Sequence, residues 1–284
     1  MWKLSSPDVG DAEKELERAL TRPDGEPIHR ITKSQRRGLL KLYEKYDARG
    51  GQPCSALLGR RFAEDFRAAV RRAYAQVQDG GRLTALRARL KLAAIKCPYC
   101  GFGEIYELDH HLPSSKYRLL AIYARNLIPC CHVCNHKKMA LAEESPDAQI
   151  AHVYLESFPA ARFMTAQVDV SEQGLRVTFS IERCAGMSDE LFRRLQFQFQ
   201  RFDLNARFQP EIDTFIGSLR LSIEDAARNG PGSLRAWLEK SRDTLQIRFG
   251  LNDWRPALLE ALGQSNEFCQ GGYEYCFGVQ HGGA

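Results

Sequence analysis

The sequence predicts an α+β protein, mostly helical, with a small metal-stabilised ββα unit near its centre and a β-hairpin downstream. Three observations predict it. Apolar residues recur at helical spacing before residue 97 and again after 188. Two C-x2-C pairs, Cys97/Cys100 and Cys131/Cys134, bracket a stretch of short strand-like pieces. Two alternating runs, "AQVDV" and "LRVTFSI", flank "SEQG", a turn signal.

The elements follow in order. "DAEKELERAL" reads as a short charged helix stopped by "TRPDGEP". In "LLGRRFAEDFRAAVRRAYAQVQ" the apolar stripe Leu58, Phe62, Phe66, Val70 (or Ala69), Ala73 and Val77 predicts one long helix. Arg60, Arg67 and Arg71 are then expected together on another face of that helix. "DGG" at 79–81 breaks the pattern and "RLTALRARLKLAAIK" resumes it. The domains expected are a basic helical region over 1–96, a metal-bound unit over 97–145, and a hairpin with helices over 146–284. In the last region Ser188 is a plausible N-cap, and "FQPEIDTFIGSLRLSIEDAARNG" reads as a helix ending at a glycine. Phe192, Phe199, Phe202, Phe215 and Trp237 are expected to be core, and "GGYEYCFGVQHGGA" loose at its end.

Composition sets the surroundings. The chain of 284 residues carries a net charge of +5. Residues 28–96 hold 17 Lys and Arg against 5 Asp and Glu, so this segment is at +12 and the rest at −7. Such a segment suits a phosphate-rich partner, although solvated helix faces have the same composition. No apolar run approaches the roughly 20 residues of a membrane helix, and the start is polar. A cytoplasmic protein without a membrane segment is expected.

Cysteine usage agrees with that. Five of nine cysteines sit in two tight groups, "CPYC" and "CCHVC", which in a reducing compartment argues for metal over disulfides. Only Cys131, not Cys130, keeps the two-residue gap to Cys134. Cys97, Cys100, Cys131 and Cys134 therefore predict a four-cysteine structural Zn2+ site. Cys54, Cys184, Cys269 and Cys276 are expected as small buried apolar side chains. Between the knuckles, "EIYELDHHLP" and "NLIP" read as strands, and "HVCNHKKMALAEE" as a helix whose start the metal pins. The polar residues that could converge there are Asp109, His110 or His111, Asn126 and Asn135.

Over 97–138 the chain resembles the HNH (ββα-metal) endonucleases, in the bacterial branch with a four-cysteine zinc site. The pattern is D-H-x-x-P, here Asp109-His110-His111-Leu112-Pro113, then N-L-x-P-x-C-x-x-C-N-x-x-K, here Asn126 through Lys138. The flanks are more weakly similar to HNH proteins of bacterial anti-phage and restriction loci. The resemblance implies His110, three residues before Pro113, as general base. It implies Asp109 and Asn135 as ligands of Mg2+ or Mn2+, and Asn126 as a hydrogen-bonder that holds the loop. His111 departs from the pattern and is given a structural role. The rival frame, with His110 as ligand and His111 as base, misplaces the proline. Lys116, Lys137 and Lys138, with Arg60, Arg67 and Arg71, are the expected nucleic-acid contacts. The implied activity is hydrolysis of DNA phosphodiesters, RNA not being excluded, within anti-phage defence. Two other readings stay open: a zinc-stabilised nucleic-acid-binding module, and a nuclease subunit that a partner protein licenses.

Overall fold

The computed structural model describes residues 3–277, and the chain divides into two compact units. The first comprises Lys3–Phe158 together with 193–202. Its helices are α1 (Ala12–Ala19), α2 (Lys33–Ala48), α3 (Glu64–Arg72) and α4 (Thr84–Leu92). Thr32 and Gln35 close a capping box at the start of α2, each side chain bonded to the other's backbone N–H. Leu39, Leu42 and Tyr46 of α2, Phe66 and Val70 of α3, and Leu86 and Leu90 of α4 share one core with Leu108, Leu112 and Leu127. The segment before 97 and the cysteine-bearing segment therefore form one unit, whose main chain run ends near 158 and not at 96 or 145.

The long helix expected over 58–77 is in fact three pieces. Ser55–Leu58 and Ala73–Val77 are 3-10 turns around α3. Gly59, at φ 62°, takes the left-handed conformation that ends the first piece, and Ala63 is extended at ψ 148°. The apolar stripe survives: Phe62, Phe66, Ala69, Val70, Ala73 and Val77 are all buried. Arg60 lies in the turn ahead of α3, so the three arginines do not share a helix face.

Strand β1 (Glu107–His110) pairs antiparallel with β2 (Leu127–Cys130), Glu107 opposite Cys130 and His110 opposite Leu127. Helix α5 (His132–Lys138) follows at once, giving the order strand, strand, helix. Cys131 caps α5. The helix stops at Met139, at φ 55° and ψ −145°, and does not run on toward Glu144 as its sequence suggests.

The second unit comprises Pro159–Phe192 and the described residues from Asp203 on. Strands β3 (Met164–Ser171) and β4 (Gly174–Ile181) form the expected hairpin around Glu172 and Gln173. Val177, Phe179 and Ile181 of β4 alternate into its core. Helix α6 (Asp189–Arg201), whose residues from Arg193 on belong to the first unit, starts at Ser188, whose hydroxyl accepts from Leu191 N at 3.1 Å. The helix expected over the following segment is two, α7 (Leu204–Ser218) and α8 (Arg220–Ala227). At their junction Ser218 donates to Phe215 O at 2.6 Å and Leu219 N turns to Ile216 O at 3.0 Å, which tightens the last turn. Helices α9 (Pro231–Phe249), α10 (Trp254–Gln264) and α11 (Asn266–Cys269) complete the unit. Phe192, Phe215 and Trp237 are half-buried, whereas Phe199 and Phe202, which belong to the first unit, are buried. Of the scattered cysteines only Cys269 is buried; Cys54, Cys184 and Cys276 are half-buried. Within the tail, 272–277 is a 3-10 turn, and the loose end expected at 278–284 lies outside the described residues. Among the described residues no helix is long and apolar enough to cross a membrane.

Candidate metal centre and adjoining cleft

Cys97 and Cys100 lie in the turns before β1, and Cys131 and Cys134 lie at the start of α5. Their four sulfurs fall within 4.8 Å of one another, and all four residues are buried. Cys100 Sγ and Cys131 Sγ are 3.9 Å apart. In a tetrahedral thiolate site with bonds of about 2.3 Å the sulfurs stand about 3.8 Å apart, so the cluster has the size to hold one ion. Backbone N–H groups already point at sulfur: Gly103 N to Cys100 Sγ at 3.3 Å, Cys134 N to Cys131 Sγ at 3.4 Å. A Cβ on Gly103 would stand 2.8 Å from Cys131 Sγ, so only glycine lets the first knuckle close on the second. Cys130 is not in the cluster; it sits in β2 opposite Glu107.

At the other end of the hairpin Asn126 is fully buried and saturated. Its Nδ2 donates to Leu112 O and Leu120 O, both at 3.1 Å. Its Oδ1 accepts from Leu112 N at 2.8 Å and from the Tyr46 hydroxyl at 3.0 Å. The Tyr46 hydroxyl lies 2.8 Å from His152 Nε2, while His152 Nδ1 accepts from Tyr154 N and Leu155 N at 3.2 and 3.3 Å. These acceptances place the imidazole proton on Nε2. His111 packs against His152 with ring centroids 4.2 Å apart, and its Nδ1 is buried without a partner. Burial holds His152 down at about 3 and His111 well below the usual histidine range.

Asp109, His110 and Asn135 line one open cleft, together with Arg71, Tyr74, Pro113, Ser114 and Ser115. His110 is half-buried at its wall, with the Tyr74 ring 4.3 Å from its own. Tyr74 donates its hydroxyl to Leu108 O at 2.8 Å. His110 Nε2 stands 2.9 Å from Ala121 O. A carbonyl only accepts, so Nε2 carries the proton and Nδ1 is the basic nitrogen. Burial is the main reason its pKa falls to about 4. His111 is not among the residues lining the cleft.

The side chains of β1 alternate. Glu107 and Asp109 both turn to α5, but in very different company. Asp109 is 4% exposed, with Lys138 Nζ at 3.1 and 3.0 Å from its two oxygens and the Tyr99 hydroxyl at 3.0 Å. Burial raises its pKa against the opposing pull of Lys138. Lys138, at 1% exposed, also donates to His110 O at 2.8 Å. It is therefore a buried counter-ion, which corrects its expected place as a surface phosphate contact. Glu107 accepts from Asn135 Nδ2 at 2.5 Å and from His132 Nδ1 at 2.7 Å. Burial opposes its ionisation, yet these two hydrogen bonds hold its carboxyl below the usual range.

The other expected contacts are dispersed. Arg67 pairs with Glu64 at 2.5 Å, Lys116 is exposed, and Lys137 is half-buried. The basic excess before residue 97 is partly consumed inside the fold: Arg36 pairs with Glu13 and Glu17, Arg89 with Glu15, and Arg87 with Asp79. Sequence reasoning missed Tyr74 and Glu107. The period of two, which puts Glu107 on the face of Asp109, was the signal for the second. No family model, curated protein or solved structure matches this chain.

Proposed function

We propose that the chain is a metal-dependent endonuclease of the HNH type that hydrolyses DNA phosphodiester bonds, with Zn2+ held structurally by Cys97, Cys100, Cys131 and Cys134. The observation that carries this reading is the orientation of His110. Its Nε2 is held by Ala121 O and its ring is packed on Tyr74, at the wall of a cleft it shares with Asp109 and Asn135. A histidine fixed in one tautomer by a carbonyl, with its other nitrogen unprotonated, is equipped to take a proton from water. At physiological pH it is neutral, since its pKa lies far below 7. An anionic phosphodiester beside it would raise that value and strengthen it as a base.

In this reading water attacks phosphorus as His110 Nδ1 accepts its proton. The bond to the 3′ oxygen breaks and that oxygen takes a proton from solvent water, leaving 5′-phosphate and 3′-hydroxyl ends. A hard divalent ion, Mg2+ or Mn2+, supplies Lewis-acid stabilisation of the charge on phosphate and leaving oxygen. Asn135 and a β1 carboxylate, Asp109 in the resemblance, are the donors that would hold it. Arg71, at the rim of the cleft, would bind the phosphate backbone. A role in anti-phage defence rests on the resemblance alone.

Supercoiled plasmid incubated with the protein and Mg2+ or Mn2+ is expected to be nicked or cut. His110→Ala is expected to slow cleavage by roughly 10²-fold or more. Equal rates for variant and parent would remove His110 from the chemistry. A second reading, a binding module without cleavage, is favoured by one observation: Lys138 already neutralises Asp109. Binding that weakens steeply with salt, with DNA intact under every divalent ion, would identify it.

A further inference from the structure

Two carboxylates two residues apart on β1 face α5, and only one is matched to a fixed cation. Asp109 lies under the ammonium of Lys138, with both oxygens engaged, in a place nearly closed to solvent. A divalent ion arriving there would meet a buried like charge about 3 Å from its ligand, in a medium that screens poorly. Glu107 is different. Its side chain is 32% exposed, and its oxygens meet an imidazole at 2.7 Å and an amide at 2.5 Å. His132 and Asn135 stand three residues apart on α5, hence on one face of it. The His132 side chain is 74% exposed, so an ion can reach the group from solvent.

We propose that Glu107, His132 and Asn135 form a divalent-cation site separate from the four-cysteine cluster. Neighbouring donors on an octahedral ion with bonds near 2.1 Å lie about 3 Å apart. Asn135 Nδ2 meets Glu107 Oε2 at 2.5 Å and His132 Nδ1 meets Oε1 at 2.7 Å, so a carboxylate gripping the ion through both oxygens has one donor beside each, and these separations need to open by a few tenths of an ångström. Turning the Asn135 amide over exchanges Nδ2 for Oδ1, and the His132 tautomer with its proton on Nε2 presents Nδ1 as a ligand. The set then offers both carboxylate oxygens, an amide oxygen and an imidazole nitrogen, and water fills the remaining positions. Such a mixed set suits Mn2+ better than Mg2+. The site stands on this geometry and does not require the nuclease reading. Joined to that reading, it moves the ion's carboxylate from Asp109 to Glu107 and makes Asp109 a positioning residue.

The test uses the full chain with its cysteine cluster loaded with Zn2+, titrated with MnCl2 and followed by the electron paramagnetic resonance of free Mn2+. One Mn2+ per chain is expected beyond the zinc. Glu107→Gln and His132→Ala are each expected to weaken it by about tenfold or more. Asp109→Asn combined with Lys138→Met, which removes the buried pair together, is expected to leave it within about twofold. Zinc content and thermal melts confirm that each variant is folded. Unchanged Mn2+ affinity in both single variants, loss of Mn2+ in the Asp109/Lys138 variant, or no Mn2+ bound by the parent would each overturn the site. Plasmid cleavage is read separately. Mn2+ bound as expected with plasmid left whole removes the nuclease reading and keeps the site. Cleavage that survives with unaltered binding in Glu107→Gln removes the site and keeps the nuclease.

Discussion

At the Glu107 end of β1 the chain is gathered by four buried cysteines whose sulfurs lie close enough together to hold one ion. At the His110 end, one strand length away, it is gathered by Asn126, Tyr46 and His152, three uncharged side chains that satisfy one another and the backbone. Both ends fix the same hairpin. With the proposed zinc bound, the first would couple its integrity to metal supply and to the redox state of thiols. The second is insensitive to both, because all four hydrogen-bonding positions of Asn126 are filled from within the chain. The cleft that holds His110 draws on the second kind of support. The cation ligands proposed on β1 and α5 draw on the first.

The comparison can be broken most forcefully by taking the metal away. Stripping zinc with a strong chelator is expected to free backbone amides around Cys97–Gly103 and along α5 for rapid hydrogen exchange. The His111 and Leu112 amides, bonded to Asn126, should stay protected longer. Structural zinc is worth on the order of 10 kcal/mol in small domains, so this is the largest effect expected. Uniform exchange at both ends would mean that they unfold as one. Next is the buried pair between them. Lys138→Met leaves Asp109 charged and unpaired, at a cost of about 3–5 kcal/mol by denaturant melts, and Asp109→Asn in the same chain should recover much of it.

Smaller effects sharpen the picture at the hydrogen-bonded end. Asn126→Ala removes the partners of four groups and is expected to cost about 3 kcal/mol, with zinc content unchanged. Zinc lost along with that stability would show that the ends are coupled. The last prediction concerns acid. His152 titrates at about 3 when folded and near 6.5 when unfolded, so protons favour the unfolded chain. Its contribution is whole above pH 6.5 and is lost as the pH falls from there toward 3. By pH 5 about 2 kcal/mol should be gone. Acid also competes for thiolates, so the quantity to measure is the stability difference between parent and His152→Gln at pH 7 and at pH 5. That difference should shrink at the lower pH.

What was legible in the sequence was what repeats locally. Two C-x2-C pairs foretold the cluster, the strand-like run "EIYELDHHLP" foretold β1, and alternation foretold the downstream hairpin. Helix lengths were less legible. Gly59, the Ser218 back-bond and Met139 each end a helix that periodicity alone would continue. Least legible were contacts made across long stretches of chain. Tyr46 meets Asn126 eighty residues on and His152 beyond it, and no spacing rule connects them. Lys138 reads as one more surface lysine in "NHKK" until the fold buries it on Asp109. Arg60 reads as a helical residue until a left-handed glycine stops the turn before it.

Met139 ends α5 in a backbone conformation that glycine adopts freely and a side-chain-bearing residue adopts only under strain, typically about 1–3 kcal/mol. It lines the same cleft as His110, and its side chain is largely exposed, so no burial of its own offsets that strain. The bend therefore draws on its neighbours to persist, and Lys138, anchored one residue earlier, is the nearest hold. A looser anchor would let the segment relax and lengthen the helix into the cleft mouth, making this bend a natural place to trade rigidity against access.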